Sequence, residues 1–168
     1  MAKNMSTAGG CPSALIRFPT AEQCVCHLEL VDGCLPARLA RKATRLIVGS
    51  FGSHAEQVPQ IEEAVGELVA NAERYAPKPW RLRLYLDDRA LWVGVGDGDP
   101  RTALPVEERL RCPAIPRWSE KHGRGLFLAR TACRGECWVR STSTGASVTG
   151  GKEILLRFAR DSVSAPAV

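Results

Sequence analysis

Three short stretches of the sequence bring together acids, amides and glycines that can do chemistry. Glu67 and Asn71 stand four residues apart. On one helix such a pair are surface neighbours. The carboxylate can orient or deprotonate a nucleophile, and the amide oxygen can complete a Mg²⁺ shell whose other ligands are phosphates and water. Asp97 follows an apolar alternation and precedes Gly98. At the end of a central strand its carboxylate can accept a hydrogen bond from an exocyclic amine such as that of adenine, and the glycine lets a ring approach the backbone. Gly123-Arg124-Gly125-Leu126 opens a helical pattern. The unpaired N–H groups and dipole of a helix start hold phosphate, and Arg124 adds charge. Taken singly, each stretch has an ordinary explanation: an exposed polar pair, a tight turn, a hinge. Their order is what is specific.

The elements that must position these residues can be read from periodicity. Residues 14–18 and 24–30 read as short strands. Pro36 opens a helix to about Ser50, with Leu39, Ala43, Leu46 and Ile47 expected on its core face. From about Gln57 to Tyr75, Ile61, Val65, Leu68, Ala72 and Tyr75 recur at helical steps and form a core-facing stripe. Glu67 and Asn71 fall on the shoulder of that stripe, roughly 80–120° from its centre. Two alternating segments, 80–86 and 91–95, make a hairpin across Asp87-Asp88-Arg89 and lead to Asp97. Periodicity fails over 101–122, where prolines predict a long loop without helix or strand, hung as a lid over the site. A third helix runs from Leu126 to about Arg134 before Gly135, and 137–141 with 153–158 form a last hairpin. Three helices and about six strands predict an α+β fold, a two-layer α/β sandwich. Its sheet should be mixed but mostly antiparallel, with the helices on one face.

Length and composition agree with one domain. The chain is 45% hydrophobic and 24% charged, ordinary for a globular protein. The expected organisation is a flexible leader over 1–13, one domain over 14–160 and a flexible tail over 161–168. No apolar run is long enough to span a bilayer and the start has no secretory pattern, so a cytoplasmic protein without membrane contact is expected. Lys and Arg number 23 against 18 acids, a net charge of +5. The arginines are scattered and not interleaved with aromatics on one helix, which argues against direct nucleic-acid binding. The seven cysteines include no Cys-x-x-Cys knuckle, so buried reduced thiols are expected and not a zinc site.

The order helix Glu-x-x-x-Asn, strand-end Asp, long loop and glycine helix start resembles the Bergerat-fold (GHKL) ATPases. In that superfamily 67–76 is similar to the N box, 93–100 to the first glycine box and 123–126 to the second. The compact build and the Gly150-Gly151-Lys152-Glu153-Ile154 ending resemble the small anti-sigma-factor serine/threonine kinases, particularly their actinobacterial relatives. The resemblance spans roughly 35–160. It implies ATP and Mg²⁺ as cofactors, with Glu67 preparing the nucleophile and Asn71 holding Mg²⁺. Asp97 with Gly98 would read adenine, while Gly123, Arg124, Gly125 and Leu126 brace the phosphates. It further implies an anti-sigma factor that binds a sigma factor and phosphorylates an anti-sigma antagonist, with a homodimer left open. The alternative is a non-catalytic or weakly nucleotide-binding module of the same fold that acts by protein–protein binding. Departures from the pattern bear on that choice. Asp99 stands where the first glycine box has glycine, Tyr75 where the N box has histidine, and Glu153 in the slot of a small hydroxyl residue that supports the adenine-reading Asp.

Overall fold

A computed structural model describes residues 16–33, 35–99, 104–111, 124–144 and 147–160. The expected leader over 1–13 and tail over 161–168 lie outside the described residues, as does Gly123. Among the described residues, five strands form one sheet: β1 (Cys24–Leu30), β2 (Trp80–Leu86), β3 (Ala90–Asp97), β4 (Cys137–Thr144) and β5 (Ser147–Ala159). Their spatial order is β1-β2-β3-β5-β4. Every ladder among the described residues is antiparallel, so the sheet, expected to be mixed but mostly antiparallel and to draw on about six strands, has five strands there and no parallel pair. Four α-helices among the described residues accompany it: α1 (Pro36–Ser50), α2 (Val58–Tyr75), α3 (Leu104–Arg111) and α4 (Arg124–Ala132).

Alternation sorts the strand residues between two faces. Leu82, Leu84, Leu91, Val93, Val95 and Leu156 form the main core with Ile61, Val65, Leu68 and Ala72 of α2 and with Ala129 of α4. This is the two-layer α/β sandwich expected from the sequence. The opposite face holds a second cluster of Tyr85, Ala90, Trp92 and Leu155, with Phe18 and Trp138 packed against it. β3 is therefore buried along its whole length, as a central strand covered on both faces must be. Asp87 closes the β2–β3 turn. Its carboxylate accepts hydrogen bonds from the backbone N–H of Arg89 and Ala90, at 2.7 and 2.8 Å, and from the Trp92 indole at 3.0 Å. Partial burial opposes its ionisation, but these bonds prevail and hold its carboxyl below the usual range.

Four expectations need correction. Residues 16–20 are irregular, so no strand covers 16–18; Phe18 instead packs edge-on against Trp138 at 6.4 Å between ring centroids. Leu46 is 75% exposed. The buried arc of α1 is carried by Ala40, Thr44 and Val48, and two helical steps of about 100° put Leu46 on the far side from Thr44. Tyr75, the last residue of α2, is 55% exposed, so the stripe ends at Ala72. Within 101–122, expected to be a loop throughout, 104–111 form α3. Pro105 falls in its first turn, where a missing N–H costs no intrahelical bond, so the proline that argued against a helix is compatible with its start. The rest of that stretch, including 112–122, lies outside the described residues.

Candidate functional site

A cavity of about 240 Å³ opens between the helix layer and the C-terminal end of β3. Val95 and Ile154 of the sheet, Leu68 and Ala72 of α2 and Leu126 of α4 supply its apolar lining. Its polar side chains are those of Asn71, Tyr75, Asp97, Asp99, Arg109 and Lys152. The volume is a little below the roughly 300–1,000 Å³ of common small-molecule pockets. That size suits a flat heterocycle with its remaining groups outside.

Register explains the polar end. Asp97 lies on the same face as Val95 and is paired across the ladder with Lys152 of β5. The Lys152 ammonium donates to Asp97 Oδ1 at 3.0 Å and to Asp99 Oδ2 at 3.1 Å, and all three residues are buried. Asp97 Oδ1 also accepts the Asp99 backbone N–H at 2.9 Å. A buried ammonium between two carboxylates is the arrangement that makes burying these charges tolerable. Asp99, the acid in a glycine position, is thus joined to Asp97 by a shared cation and by its own N–H.

Glycines at this end serve chain packing. Gly98 donates its N–H to the Pro77 carbonyl at 2.8 Å, and a Cβ on it would collide with the Lys78 carbonyl. A Cβ on Gly151 would collide with the Asp97 carbonyl oxygen. The glycine after Asp97 is therefore accounted for by the neighbouring chain, whatever ligand the cavity takes.

Glu67 and Asn71 come together with the start of α4. A Cβ on Gly125 would stand 2.8 Å from Asn71 Nδ2 and 3.0 Å from Glu67 Oε2, so glycine here is what lets α4 approach the polar shoulder of α2. Asn71 lines the cavity; Glu67 lies beside it against α4. Leu126 lines the cavity and packs on the main core, while Arg124, in the first turn of α4, is exposed. The helix starts two residues earlier than its apolar pattern predicts, which makes Arg124 and Gly125 part of its N-terminal turn. As to Mg²⁺, no cluster of three or more His, Cys, Asp or Glu side chains among the described residues would hold a metal unaided. The Asn71 amide on the cavity wall suits a Mg²⁺ ion whose remaining ligands are phosphate oxygens and water.

Glu153 does not support Asp97. One residue along β5 from Lys152, it projects to the opposite face, where it is fully buried. It accepts from Arg140 Nε at 2.7 Å, Arg83 Nη1 at 3.2 Å and the Tyr85 hydroxyl at 3.2 Å. Burial, then the Glu153 charge, push the Tyr85 phenol up to about 12. The residue that braces Asp97 is Lys152, and the cation supplied by the loop region is Arg109 of α3. Sequence reasoning assigned a role to neither, though the phase of Lys152 with Ile154 was a usable signal for the first.

The division of labour on α2 yields a paired test. Leu68→Ala empties a fully buried position and should cost about 2–5 kcal/mol of stability. Asn71→Ala, off the stripe, should keep the fold and weaken Mg²⁺-dependent nucleotide binding. Chemical denaturation of both variants checks this; equal destabilisation would mean that Asn71 serves packing.

No family model matches the chain, and no curated protein matches it. Among solved structures, it is similar to a chain in the SiaB–SiaC complex from Pseudomonas aeruginosa, with a TM-score of 0.59 and 9% identity over 81% of this chain and 91% of that one. It also matches the mycobacterial sensor histidine kinase MprB, with a TM-score of 0.43 and 20% identity over 61% of this chain and 72% of that one. The second match is too distant to support an inference. The first, at its low identity, shows a shared fold alone, the α+β layering of sheet and helices described above.

Proposed function

We propose that this protein is an ATP-binding regulator of the partner-switching type, an anti-sigma factor that phosphorylates a serine or threonine of an anti-sigma antagonist. The observation that carries the reading is convergence. Asn71, Asp97 and Leu126, drawn from three separate sequence boxes, line one cavity, with Gly125 and Glu67 at its edge. The similarity to a chain solved in a complex of two proteins fits a chain that works by binding another.

In this reading the apolar walls take the base and Asp97 accepts from its exocyclic amine. The N-terminal turn of α4 faces the phosphates, and Arg109 adds positive charge nearby. Bound Mg²⁺ would neutralise phosphate charge, with Asn71 as its protein ligand. Glu67 orients the acceptor hydroxyl and takes its proton as the oxygen attacks the γ-phosphorus, whose bond to the β–γ bridging oxygen breaks to release ADP. Such a group acts in the transition state more than in binding. Glu67→Ala should therefore bind ATP as the unaltered protein does and lose phosphotransfer by at least about 100-fold, within the usual range for a general base. Radiolabelled ATP and a candidate antagonist provide the assay. Loss of ATP affinity in the variant would make Glu67 a binding or packing residue.

A specific observation favours the second reading, a non-catalytic binding module. The Asp97 oxygen that faces Lys152 is already engaged twice, by that ammonium and by the Asp99 N–H. A base would have to use the other oxygen or displace the lysine. ATP binding without phosphotransfer to any antagonist, in protein that is otherwise folded, would select this reading.

A further inference from the structure

Lys152 has more donor capacity than its two acids take up. An ammonium carries three N–H donors. Two are engaged, by Asp97 Oδ1 at 3.0 Å and by Asp99 Oδ2 at 3.1 Å. Among the described residues the third has no acceptor. Asp97 is in the converse position. Its Oδ1 accepts from both Lys152 and the Asp99 N–H, while its Oδ2 has no partner among the described residues. Both residues are only 8% exposed, and both line the main cavity. A buried charge is tolerated when its hydrogen-bonding capacity is met. A charged donor and a charged acceptor left over on one cavity wall therefore point to a ligand that meets both.

Strand register sets the two groups side by side. Asp97 of β3 and Lys152 of β5 are direct partners in the ladder, in phase with Val95 and Ile154, which line the same cavity. The apolar lining from the sheet and from Leu68, Ala72 and Leu126 leaves room for one flat heterocycle between the layers. One edge of that heterocycle then faces the acid and the ammonium.

We propose that Lys152 is a specificity-determining residue that reads the base: its third N–H donates to N1 of adenine, while Asp97 Oδ2 accepts from the neighbouring exocyclic amine. This rests on the nucleotide reading above and adds to it the edge of the base that is recognised. Adenine offers an acceptor next to a donor on two edges, at N1 and at N7. The cavity favours the first. It is too small for the sugar, so the edge farthest from the sugar reaches the buried cluster, and that edge carries N1. Guanine inverts both groups, with a carbonyl oxygen in place of the amine and an N–H in place of the N1 lone pair. In the same seat it sets oxygen against Asp97 and a proton against Lys152, so the pair also excludes GTP.

The test is calorimetric titration of the full chain, in the presence of Mg²⁺, with ATP, 1-deaza-ATP, 7-deaza-ATP and GTP. 1-Deaza-ATP, with C–H in place of N1, should bind about tenfold or more weakly than ATP, as expected for losing a hydrogen bond to a charged group. GTP should lose at least as much, and 7-deaza-ATP should bind as ATP does. In the double variant Lys152→Met, Asp99→Asn, which keeps the net charge of the cluster, ATP and 1-deaza-ATP should bind alike. Near-UV circular dichroism establishes that this variant is folded, and the ligand series on the unaltered protein decides the matter without it. Equal affinity for ATP and 1-deaza-ATP in the unaltered protein would overturn the proposal and leave nucleotide binding intact. So would a loss confined to 7-deaza-ATP, GTP binding that matches ATP, or discrimination at N1 that persists in the folded double variant. Binding of none of the four would overturn the nucleotide reading itself, and the proposal with it.

Discussion

Glu153→Ala should destabilise the protein by about 3–5 kcal/mol, read as a lower urea midpoint at unchanged slope. The carboxylate has no solvent exposure and receives two arginines and a tyrosine. Removing it leaves the Arg83 and Arg140 guanidinium groups close together with no anion between them. The deletion also opens space beside Gly94, whose missing Cβ is what admits the Glu153 carboxylate against β3. Both effects act in one direction. Glu153→Gln keeps the shape and part of the hydrogen bonding, so it should fall between the two. Nucleotide affinity should be unchanged in that milder variant, because Glu153 projects from the face opposite the cavity. A loss below about 1 kcal/mol for Glu153→Ala would mean that water satisfies the two arginines as well as the carboxylate does.

Lys152→Met should cost a similar amount, about 3–5 kcal/mol, for the converse reason. The substitution keeps an unbranched apolar stem and deletes the ammonium that joins Asp97 to Asp99. Two buried carboxylates then face each other without a counter-charge, and like charges at such range repel strongly. Bringing the cluster back to its original net charge with Asp99→Asn in the same chain should recover much of the loss. Denaturation of the single and double variants measures this as a coupling energy. Additive losses would show that the ammonium contributes packing only.

The contrast between these two neighbours shows where sequence reasoning reached and where it stopped. Helix α2 was legible because Ile61, Val65, Leu68 and Ala72 repeat at helical spacing, and its shoulder placed Asn71 correctly at a cavity. The β2–β3 hairpin was legible from alternation, and so was the position of Asp97 at its end. The partner of Asp97 was not. Whether Lys152 or Glu153 shares its face depends on how β5 registers against β3, and a one-residue shift exchanges the faces. Within one strand the phase of Ile154 favours Lys152, but resemblance to a family pattern drew attention to Glu153. α3 was hidden by proline, which breaks a helix interior and is tolerated in a first turn. The exposed Leu46 and Tyr75 were misplaced because a stripe in sequence fixes an arc of a helix only to within about one residue step, and packing decides its edge. The close approach of Gly125 to Glu67 and Asn71 joins two segments far apart in the chain, and no local pattern encodes it.

The central claim is that the cavity bounded by Asn71, Asp97 and Leu126 takes ATP. Thermal unfolding with increasing ATP or ADP, each with and without Mg²⁺, tests it directly. A ligand that binds only the folded state stabilises it by about 2.7 kcal/mol at a free concentration 100 times Kd, which for a domain of this size raises Tm by several degrees. The account predicts a rise that is saturable, larger with Mg²⁺ and smaller in Asn71→Ala. An unmoved melting temperature at millimolar ATP with Mg²⁺ would contradict it.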